Sequence, residues 1–188
     1  MPEMTVQMRE EILEFHNRHR ANLGSGIVSS NSRKMPPASN MYKLSWSCLL
    51  ERKAQSFLRL GDPITKNTLE VLLPSTLNQY SKWLCSQTPT TYDNFVEPAL
   101  TQWWNKVKDQ TGLLYNETTA SFGNMAYDRA TEVGCSVRKH GNTSYLICIY
   151  DLGPETPLDL IYESGQKCQC KAYPNSTCSA LDSLCIKN

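Results

Sequence analysis

The sequence lacks the features that define several large classes of protein. Its longest apolar runs, such as residues 145–150, are far shorter than the roughly 20 residues that a membrane-spanning helix needs. Basic residues exceed acidic ones by a net charge of only +1, and no run of Lys or Arg is longer than two. Neither a phosphate-tracking surface nor a polybasic membrane patch is therefore expected. These absences predict that the protein is not transmembrane and that no nucleic acid is its partner.

The residues that are present indicate one globular domain. The chain has 188 residues, of which 40% are hydrophobic and 20% charged, and it contains four Trp, nine Tyr and four Phe. A chain of this length can bury one core without needing disulfides to fold. The residues after Met1 enter an amphipathic pattern rather than a secretory leader. That pattern leaves two alternatives, a cytosolic protein and a processed secreted chain.

The eight cysteines favour the secreted, extracellular alternative. An even count, with half of the cysteines in the last 21 residues, predicts a disulfide framework formed in an oxidising compartment. The alternative is a zinc site in this tail, but its Cys168-x-Cys170 spacing is tighter than that of most zinc modules. Asn-x-Ser/Thr sequons also favour secretion and predict N-linked glycans. Their asparagines are Asn116, Asn142 and Asn175.

Apolar residues at three- and four-residue steps predict three helices. These helices span residues 5–23, about 45–61 and 95–108. Thr5 is a suitable N-cap for the first, and Gly24 a suitable stop. Residues 24–43 are rich in Gly, Ser, Asn and Pro and predict a surface loop. Residues 69–73 fit a strand or a helix, and residues 77–84 are a candidate for a further short helix.

Two β-rich runs late in the chain predict a hairpin with Gly141 and Asn142 as its turn. Facing residue numbers then sum to 283, so Cys135 lies opposite Cys148. Alternation makes this a pair without hydrogen bonds, whose Cα atoms approach to about 4.5 Å and can carry a disulfide. A longer turn would shift the register and give both cysteines other partners. The other predicted pairs are Cys48 with Cys85, Cys168 with Cys178, and Cys170 with Cys185.

Early helices, a late hairpin and a cysteine-rich end predict an α+β fold. The predicted division is a domain of residues 1–155 and a disulfide-stapled C-terminal segment of residues 156–188, with Pro154 and Pro157 at the junction.

Several stretches resemble one family. Residues 15–20, FHNRHR, are similar to a first-helix His-Asn-x-x-Arg motif, and residues 44–51, LSWSCLLE, to the start of a second helix. Residues 133–137 and 146–150 resemble two central strands, and residues 161–165 resemble the start of a hinge. These stretches occur in the same order in the cysteine-rich secretory, antigen-5 and pathogenesis-related (CAP or SCP) superfamily. The likeness is greatest to the activation-associated secreted, or venom allergen-like, proteins of parasitic nematodes. The resemblance implies a three-layer α-β-α sandwich with a cysteine-rich C-terminal hinge.

Members of that family often have a cavity with two His and two Glu that can hold a divalent cation. This chain departs from the pattern at most of those positions. Glu70 is retained, whereas Lys106 stands where the resemblance implies the second Glu. Ser121, Asn124 and Tyr127 replace the family's His, Gln and Trp. Because a cation site needs converging His or carboxylate ligands, we expect no bound metal and no cofactor here. An alternative role for Lys106 is a salt bridge to Glu70.

Enzymatic chemistry is not expected either. The cysteines are better explained as disulfides than as a Cys–His nucleophile, and Ser121 has no evident base among the three histidines. His16 and His19 could ligate a metal, but the family match makes His16 a structural helix residue. His140 is expected at the hairpin tip in solvent. Paired carboxylates, as in glycosidases, stay open in principle, although no spacing among the 18 acidic residues singles out a pair.

The resemblance implies two ways of binding a lipid, sterol at a mobile loop and fatty acid between helices. The candidate sterol loop, residues 61–69, is short and contains no aromatic residue. Stripes on the first and third predicted helices could line an apolar groove, although each also fits an ordinary core. Their residues are Met8, Ile12, Phe15, Leu100, Trp103 and Trp104. The function expected is a secreted, non-catalytic effector that binds a small lipid and modulates host immunity. The rival hypothesis is a ligand-free, glycosylated module that engages a host protein receptor.

Overall fold

The structure is a computed structural model that describes residues 4–59, 76–84 and 89–188. Its α-helices in this part of the chain are α1 Val6–Gly24, α2 Cys48–Arg59, α3 Glu97–Trp104 and α4 Ala120–Ala126. A π-helical turn, Tyr92–Val96, leads into α3, and 3₁₀ segments follow at Asn105–Asp109 and Glu117–Thr119. The strands are β1 Ser45–Trp46, β2 Leu77–Trp83, β3 Glu132–His140, β4 Thr143–Tyr150, β5 Thr177–Cys178 and β6 Cys185–Ile186.

The limits of α1 agree with the sequence prediction. Thr5 caps the helix, because its side-chain oxygen accepts a hydrogen bond from the Met8 backbone N–H at 3.0 Å. The helix ends at Gly24, as predicted. The third predicted helix is less regular, since only Glu97–Trp104 is α-helical and the flanking turns are wound differently. No helix among the described residues is both long enough and apolar enough to cross a membrane.

The central sheet has the strand order β1-β3-β4-β2. β1 runs parallel to β3, whereas β4 pairs antiparallel with both β3 and β2. Cys135 faces Cys148 across β3 and β4, which confirms the predicted hairpin register. The candidate helix at residues 77–84 is wrong, because Leu77–Trp83 form strand β2. Its seven residues each pair with a residue of β4, and this long-range pairing outweighs the local pattern.

The sheet separates two apolar clusters. Ile147 and Ile149 lie in a small cluster beneath α2. Neighbouring β4 residues point the opposite way, so Leu146 and Tyr150 join the main core with α1, α3 and α4. The result is a three-layer α-β-α sandwich, which confirms the predicted fold class.

Gly134 allows α2 to lie directly on the sheet. A Cβ atom built at this residue would lie 2.2 Å from the backbone nitrogen of Glu51. Any side chain at Gly134 would therefore displace the first turn of α2.

The C-terminal residues pack closely against the rest of the chain. β5 and β6 form a two-stranded ribbon, and Cys170 and Cys185 pack on the buried ring of Tyr42. Ile161 and Tyr162, which also follow Pro157, lie within the main core. The division at residues 155 and 156 stays a proposal.

Candidate functional site

The residues expected at the altered family cavity are partly dispersed. Glu70 lies outside the described residues, so the proposed Glu70–Lys106 salt bridge is not described. Lys106 is half-exposed, and its Nζ atom lies 4.0 Å from the Asp109 carboxylate. Tyr127 is half-buried, and its backbone carbonyl accepts a hydrogen bond from Arg20. Lys106 is therefore a surface side chain rather than part of a converging ligand set.

Ser121 and Asn124 lie on α4 and meet the sheet through one side chain, that of Asn78 in β2. The Asn78 amide nitrogen donates to the Ser121 carbonyl oxygen at 2.9 Å. The Asn78 side-chain oxygen accepts a hydrogen bond from the Asn124 amide at 3.0 Å. The Ser121 hydroxyl donates to the Trp103 carbonyl at 3.4 Å. Both replacement residues therefore hold the fold together at this point.

A chain of buried hydrogen bonds continues from Asn78 to α1. The side-chain nitrogen of Asn78 lies 3.3 Å from the Tyr150 hydroxyl oxygen. That hydroxyl lies 2.9 Å from Nε2 of His16. The other ring nitrogen of His16 lies 2.7 Å from the Ile12 carbonyl oxygen. Because a carbonyl can only accept, Nδ1 of His16 carries the hydrogen and Nε2 accepts from Tyr150. We call Asn124, Asn78, Tyr150 and His16 the polar chain.

Burial keeps the polar chain uncharged. The ring of His16 is fully buried, and this desolvation lowers its pKa to about 4. Burial likewise raises the pKa of the Tyr150 hydroxyl. His16 is thus neutral at physiological pH, and both of its nitrogens are engaged within the protein. This arrangement matches the structural role expected for His16.

His19 has a different environment. Its Nδ1 lies 2.8 Å from the Phe15 carbonyl oxygen, and its ring stacks on Phe15 with centroids 4.0 Å apart. Partial burial lowers the pKa of this imidazole. In the described part of the chain, no group of three or more His, Cys, Asp or Glu residues converges as a metal site would require.

Arg20 organises the loops beside this site. Its guanidinium is fully buried, and within the described part of the chain its hydrogen bonds go to backbone carbonyl oxygens. These carbonyls belong to Tyr42, Met125, Tyr127, Asp128 and Ala130. Burial lowers the pKa of Arg20 to about 10 and raises that of the nearby Asp128 carboxyl to about 6. Sequence reasoning placed Arg20 in a motif, but it did not identify what the guanidinium binds.

The six residues expected to bind lipid all lie in the main core. Each is at most 9% exposed, and together they pack α1 against α3. None of the six lines the cavity between α2 and the sheet or the groove along the outer face of α1.

The first cavity lies between α2 and the sheet, and we call it the α2 cavity. Its volume is about 440 Å³. Apolar atoms make up most of its lining surface, with Lys53 and Asp151 as its charged members. The lining residues are Leu50, Lys53, Ser56, Phe57, Thr76, Ile149, Tyr150 and Asp151.

The second cavity is an open groove of about 650 Å³ between the outer face of α1 and the C-terminal segment. It is lined by α1 residues from Leu13 onward and by Leu181, and it is more polar than the α2 cavity. Lys43 and Asp182 form an ion pair of 2.7 Å at its edge.

Disulfide bonds join Cys135 to Cys148, Cys168 to Cys178 and Cys170 to Cys185, the pairs that the sequence predicts. Cys48 is exposed and pairs with none of the described cysteines. Its expected partner, Cys85, lies outside the described residues. The three sequon asparagines are all exposed, as a glycan requires, and glycosylation stays a prediction.

Comparisons with known proteins agree on one family. Residues 13–150 match the model of the cysteine-rich secretory protein family, CAP. The chain is 30% identical over 192 residues to Ancylostoma secreted protein of Ancylostoma caninum, covering 98% of this chain and 44% of that protein. It is 28% identical over 174 residues to Hookworm platelet inhibitor 1 of the same species, covering 88% and 74% of the two chains. The chain thus spans less than half the length of the first of these relatives.

Solved structures give the same result. The crystal structure of Na-ASP-1 superposes with a TM-score of 0.82 at 31% identity, covering 98% of this chain and 46% of that one. A structure of NaASP2 with Zn²⁺ has a TM-score of 0.77 at 19% identity and covers 96% of each chain, a likeness that shows the fold alone. The α-β-α sandwich, the His-Asn-x-x-Arg helix and the match over residues 13–150 together show that this chain belongs to the cysteine-rich secretory protein (CAP) family.

Proposed function

We propose that the chain is a secreted, non-catalytic venom allergen-like protein of a parasitic nematode that binds a small lipid and acts on its host. Family membership and the relatives named Ancylostoma secreted protein and Hookworm platelet inhibitor 1 support the extracellular part of this proposal. The disulfides in the β3–β4 hairpin and in the C-terminal segment suit an oxidising compartment.

The polar chain supports action by binding rather than by catalysis. A general base must accept a proton from a substrate, and the accepting nitrogen of His16 already holds the Tyr150 hydroxyl. Ser121 directs its hydroxyl at a backbone carbonyl and not at a histidine. Groups engaged in this way stabilise the fold and offer no reactive atom.

Lys106 and Ser121 support the absence of a zinc site. The zinc in NaASP2 belongs to that protein. Here Lys106 would place a positive charge where the resemblance implies a carboxylate, and Ser121 is a poorer ligand than a histidine.

The observation that carries lipid binding is the α2 cavity. Its volume lies in the range of small-molecule pockets, and its walls are mainly apolar. A lipid between α1 and α3 would instead have to displace side chains such as Phe15 and Leu100, which are at most 4% exposed. Sterols and fatty acids are the candidate ligands.

Native mass spectrometry of protein made in a secretory host tests this proposal. We expect a bound lipid mass that is lost on organic extraction and regained when palmitate or cholesterol is added back. A chain that carries no lipid, and takes up neither compound after extraction, would contradict lipid binding.

A second candidate function, a ligand-free module that engages a host receptor through its loops and glycans, is favoured by two exposed leucines. Leu158 is 85% and Leu181 96% exposed, and both lie outside the helices and strands. If delipidated protein binds host cells as strongly as the lipid-loaded form, the module is the better description. Loss of binding on delipidation would favour the lipid carrier.

A further inference from the structure

We propose that the turn end of the central sheet binds an anionic saccharide, with Trp83 against a sugar ring and Arg138 at its carboxylate or sulfate group. The site lies on the same side of the sheet as α2 but beyond the end of that helix. It includes none of the residues that line the α2 cavity, so the proposal is independent of lipid binding.

Trp83, the last residue of β2, differs in exposure from the other tryptophans. Its side chain is 68% exposed, whereas Trp103 and Trp104 lie in the main core and Trp46 is half-buried. An indole combines a large apolar face with an N–H donor. It therefore suits a ligand that has both C–H faces and polar groups.

Strand register places several side chains beside Trp83 on one face of the sheet. Trp83 faces Thr143 across β2 and β4, and Thr143 faces His140 across β4 and β3. Side chains two positions apart on a strand share a face, so the next row lies on the same side. We call the six residues of these two rows the hairpin platform: Ser81, Trp83, Arg138, His140, Thr143 and Tyr145.

The hairpin platform begins where α2 stops covering the sheet. Tyr145 packs in the cluster beneath α2. Next to it on β3, the Arg138 guanidinium donates to the carbonyl of Leu58, close to the end of α2 at Arg59. The row that contains Trp83 lies one step nearer the turn and is therefore beyond the helix. This position explains why Trp83 is exposed.

The shape and polarity of the hairpin platform suit a sugar. Strands in a sheet lie about 4.8 Å apart, so the row from Trp83 to His140 spans about 10 Å. Ser81 is exposed and Thr143 half-buried, and their hydroxyls can donate to and accept from sugar hydroxyls. A purely apolar partner would remove these hydroxyls from water without replacing their hydrogen bonds.

The charge of this part of the sheet favours an anion. Neither β2 nor residues 133–150 contain Asp or Glu, and their basic residues are Lys82, Arg138, Lys139 and His140. Lys82 and Arg138 form no ion pair with any other described residue. The hydrogen bond from Arg138 to α2 uses one nitrogen, and a guanidinium has further N–H groups that can bind a carboxylate or sulfate.

A glycan on Asn142 would leave the hairpin platform open. The Asn142 carbonyl accepts a hydrogen bond from the Leu84 backbone N–H at 2.6 Å, which pairs these two residues. The Leu84 side chain packs in the main core, on the opposite face of the sheet from Trp83. Alternation therefore directs the Asn142 side chain away from the hairpin platform.

Titration of a heparin octasaccharide into the full chain tests the proposal. We expect binding that protects Trp83 from acrylamide quenching and that weakens as the NaCl concentration rises. Trp83→Ala should weaken binding about fivefold and remove the protection. The matched control is Leu181→Ala, which removes a side chain that is 96% exposed in the C-terminal segment. Equal affinities of the two variants would overturn the role of Trp83.

Substitutions of basic residues test the anionic group. Arg138→Lys keeps the charge and a donor for Leu58 but loses the guanidinium fork, so octasaccharide binding should weaken about three- to tenfold. Lys82→Gln should weaken it about two- to threefold, and Lys171→Gln, at an exposed residue of the C-terminal segment, should have no effect. Melting temperatures check that each variant is folded. Wild-type affinity in the folded Arg138→Lys variant would overturn the contact with Arg138.

Competing polymers test the ligand class. Neutral dextran should not displace the octasaccharide, and a polyphosphate of matched charge should bind more weakly and leave Trp83 open to acrylamide. Polyphosphate that binds as tightly as the octasaccharide would make this end of the sheet a general anion surface and would overturn the saccharide assignment. Failure of the wild type to bind the octasaccharide at low salt would overturn the proposal as a whole.

Discussion

The hydroxyl of Tyr150 lies 2.9 Å from Nε2 of His16 and joins the last strand of the sheet to the first helix across the main core. Tyr150→Phe removes the hydroxyl but keeps the ring, leaving the buried His16 nitrogen without its donor. We expect a loss of about 1–3 kcal/mol in the free energy of unfolding, the cost of an unsatisfied buried polar group. Chemical denaturation measures this loss.

Tyr145→Phe is the matched control. Tyr145 lies on the same strand but in the cluster beneath α2, and it is only half-buried. Tyr145→Phe should lower the free energy of unfolding by no more than about 0.5 kcal/mol. If the two substitutions lower the free energy of unfolding equally, the hydrogen bond between Tyr150 and His16 does not provide the expected stabilisation.

The pKa values of His16 and Asp128, two buried groups, are shifted in opposite directions. The free energy of unfolding should therefore change little with pH on the acid side. The pKa of His16 falls from 6.5 to about 4, so the unfolded chain binds more protons in that range and stability falls as pH decreases through it. The pKa of Asp128 rises from 3.8 to about 6, so the folded chain binds more protons and stability rises as pH decreases from 6. Each contribution is about 3 kcal/mol.

In the Asp128→Asn variant, the loss of stability caused by protonation of His16 should no longer be offset by Asp128. The variant should lose about 3 kcal/mol more than the wild type between pH 6.5 and 4, measured by urea denaturation across pH. An amide at this position can still accept the Glu163 backbone hydrogen bond. Parallel pH profiles for the two proteins would contradict the opposed shifts.

Loss of the Arg20 guanidinium should be among the most damaging changes in the chain. Arg20→Met leaves several buried backbone carbonyls without a donor, and we expect destabilisation of at least about 3 kcal/mol. Arg18→Met is the control, because Arg18 is exposed and its guanidinium lies 5.8 Å from the centroid of the Phe15 ring. Thermal melts of the two variants should differ by several degrees, and similar melting temperatures would refute this role.

The cysteine pairs can be assigned by peptide mapping without reduction. We expect a peptide that joins Cys48 to Cys85, besides the three disulfides present in the structure. Removing the Cys135–Cys148 bond by a double substitution to Ala should cost about 3 kcal/mol, from the chain entropy of its short loop. A free Cys48 thiol in the native secreted protein would contradict the fourth pair.

Calorimetry at neutral pH should detect no stoichiometric zinc binding. The reason is that Lys106 is a half-exposed cation and His16 is hydrogen-bonded at both nitrogens. One tight zinc ion, lost in the Glu70→Ala variant, would show that ligands of the family cavity are retained. Binding lost in the His16→Ala and His19→Ala variants would place the metal on α1.

The features that could be predicted from sequence depend on neighbouring residues. The two-residue turn at Gly141 and Asn142 sets the register of its hairpin, so the Cys135–Cys148 disulfide follows by counting along two strands. The limits of α1 follow from its periodicity, its Thr5 cap and its terminal Gly24. The four replaced cavity residues could be named because they stand at fixed places in family motifs.

Other features required the tertiary structure. Residues 77–83 form a strand because β4, whose paired residues lie 60 to 72 positions later in the sequence, supplies the hydrogen-bonding partners. Asn78 enters the polar chain only through that pairing. Nor does periodicity reveal which carbonyls face Arg20, since they come from Tyr42 and from residues 125–130, more than 80 positions apart.

The sequence by itself therefore determined the family and the hairpin disulfide, and it predicts the loss of the usual cation ligands. The tertiary structure alone decided that the stripes on α1 and α3 fill the core while a cavity stays open beneath α2. The physical reason is that a periodic apolar stripe in the sequence shows only that one face of a helix is apolar. Whether that face meets another helix or encloses a space depends on where distant contacts, such as those of Gly134 and Arg138 with α2, hold the helix.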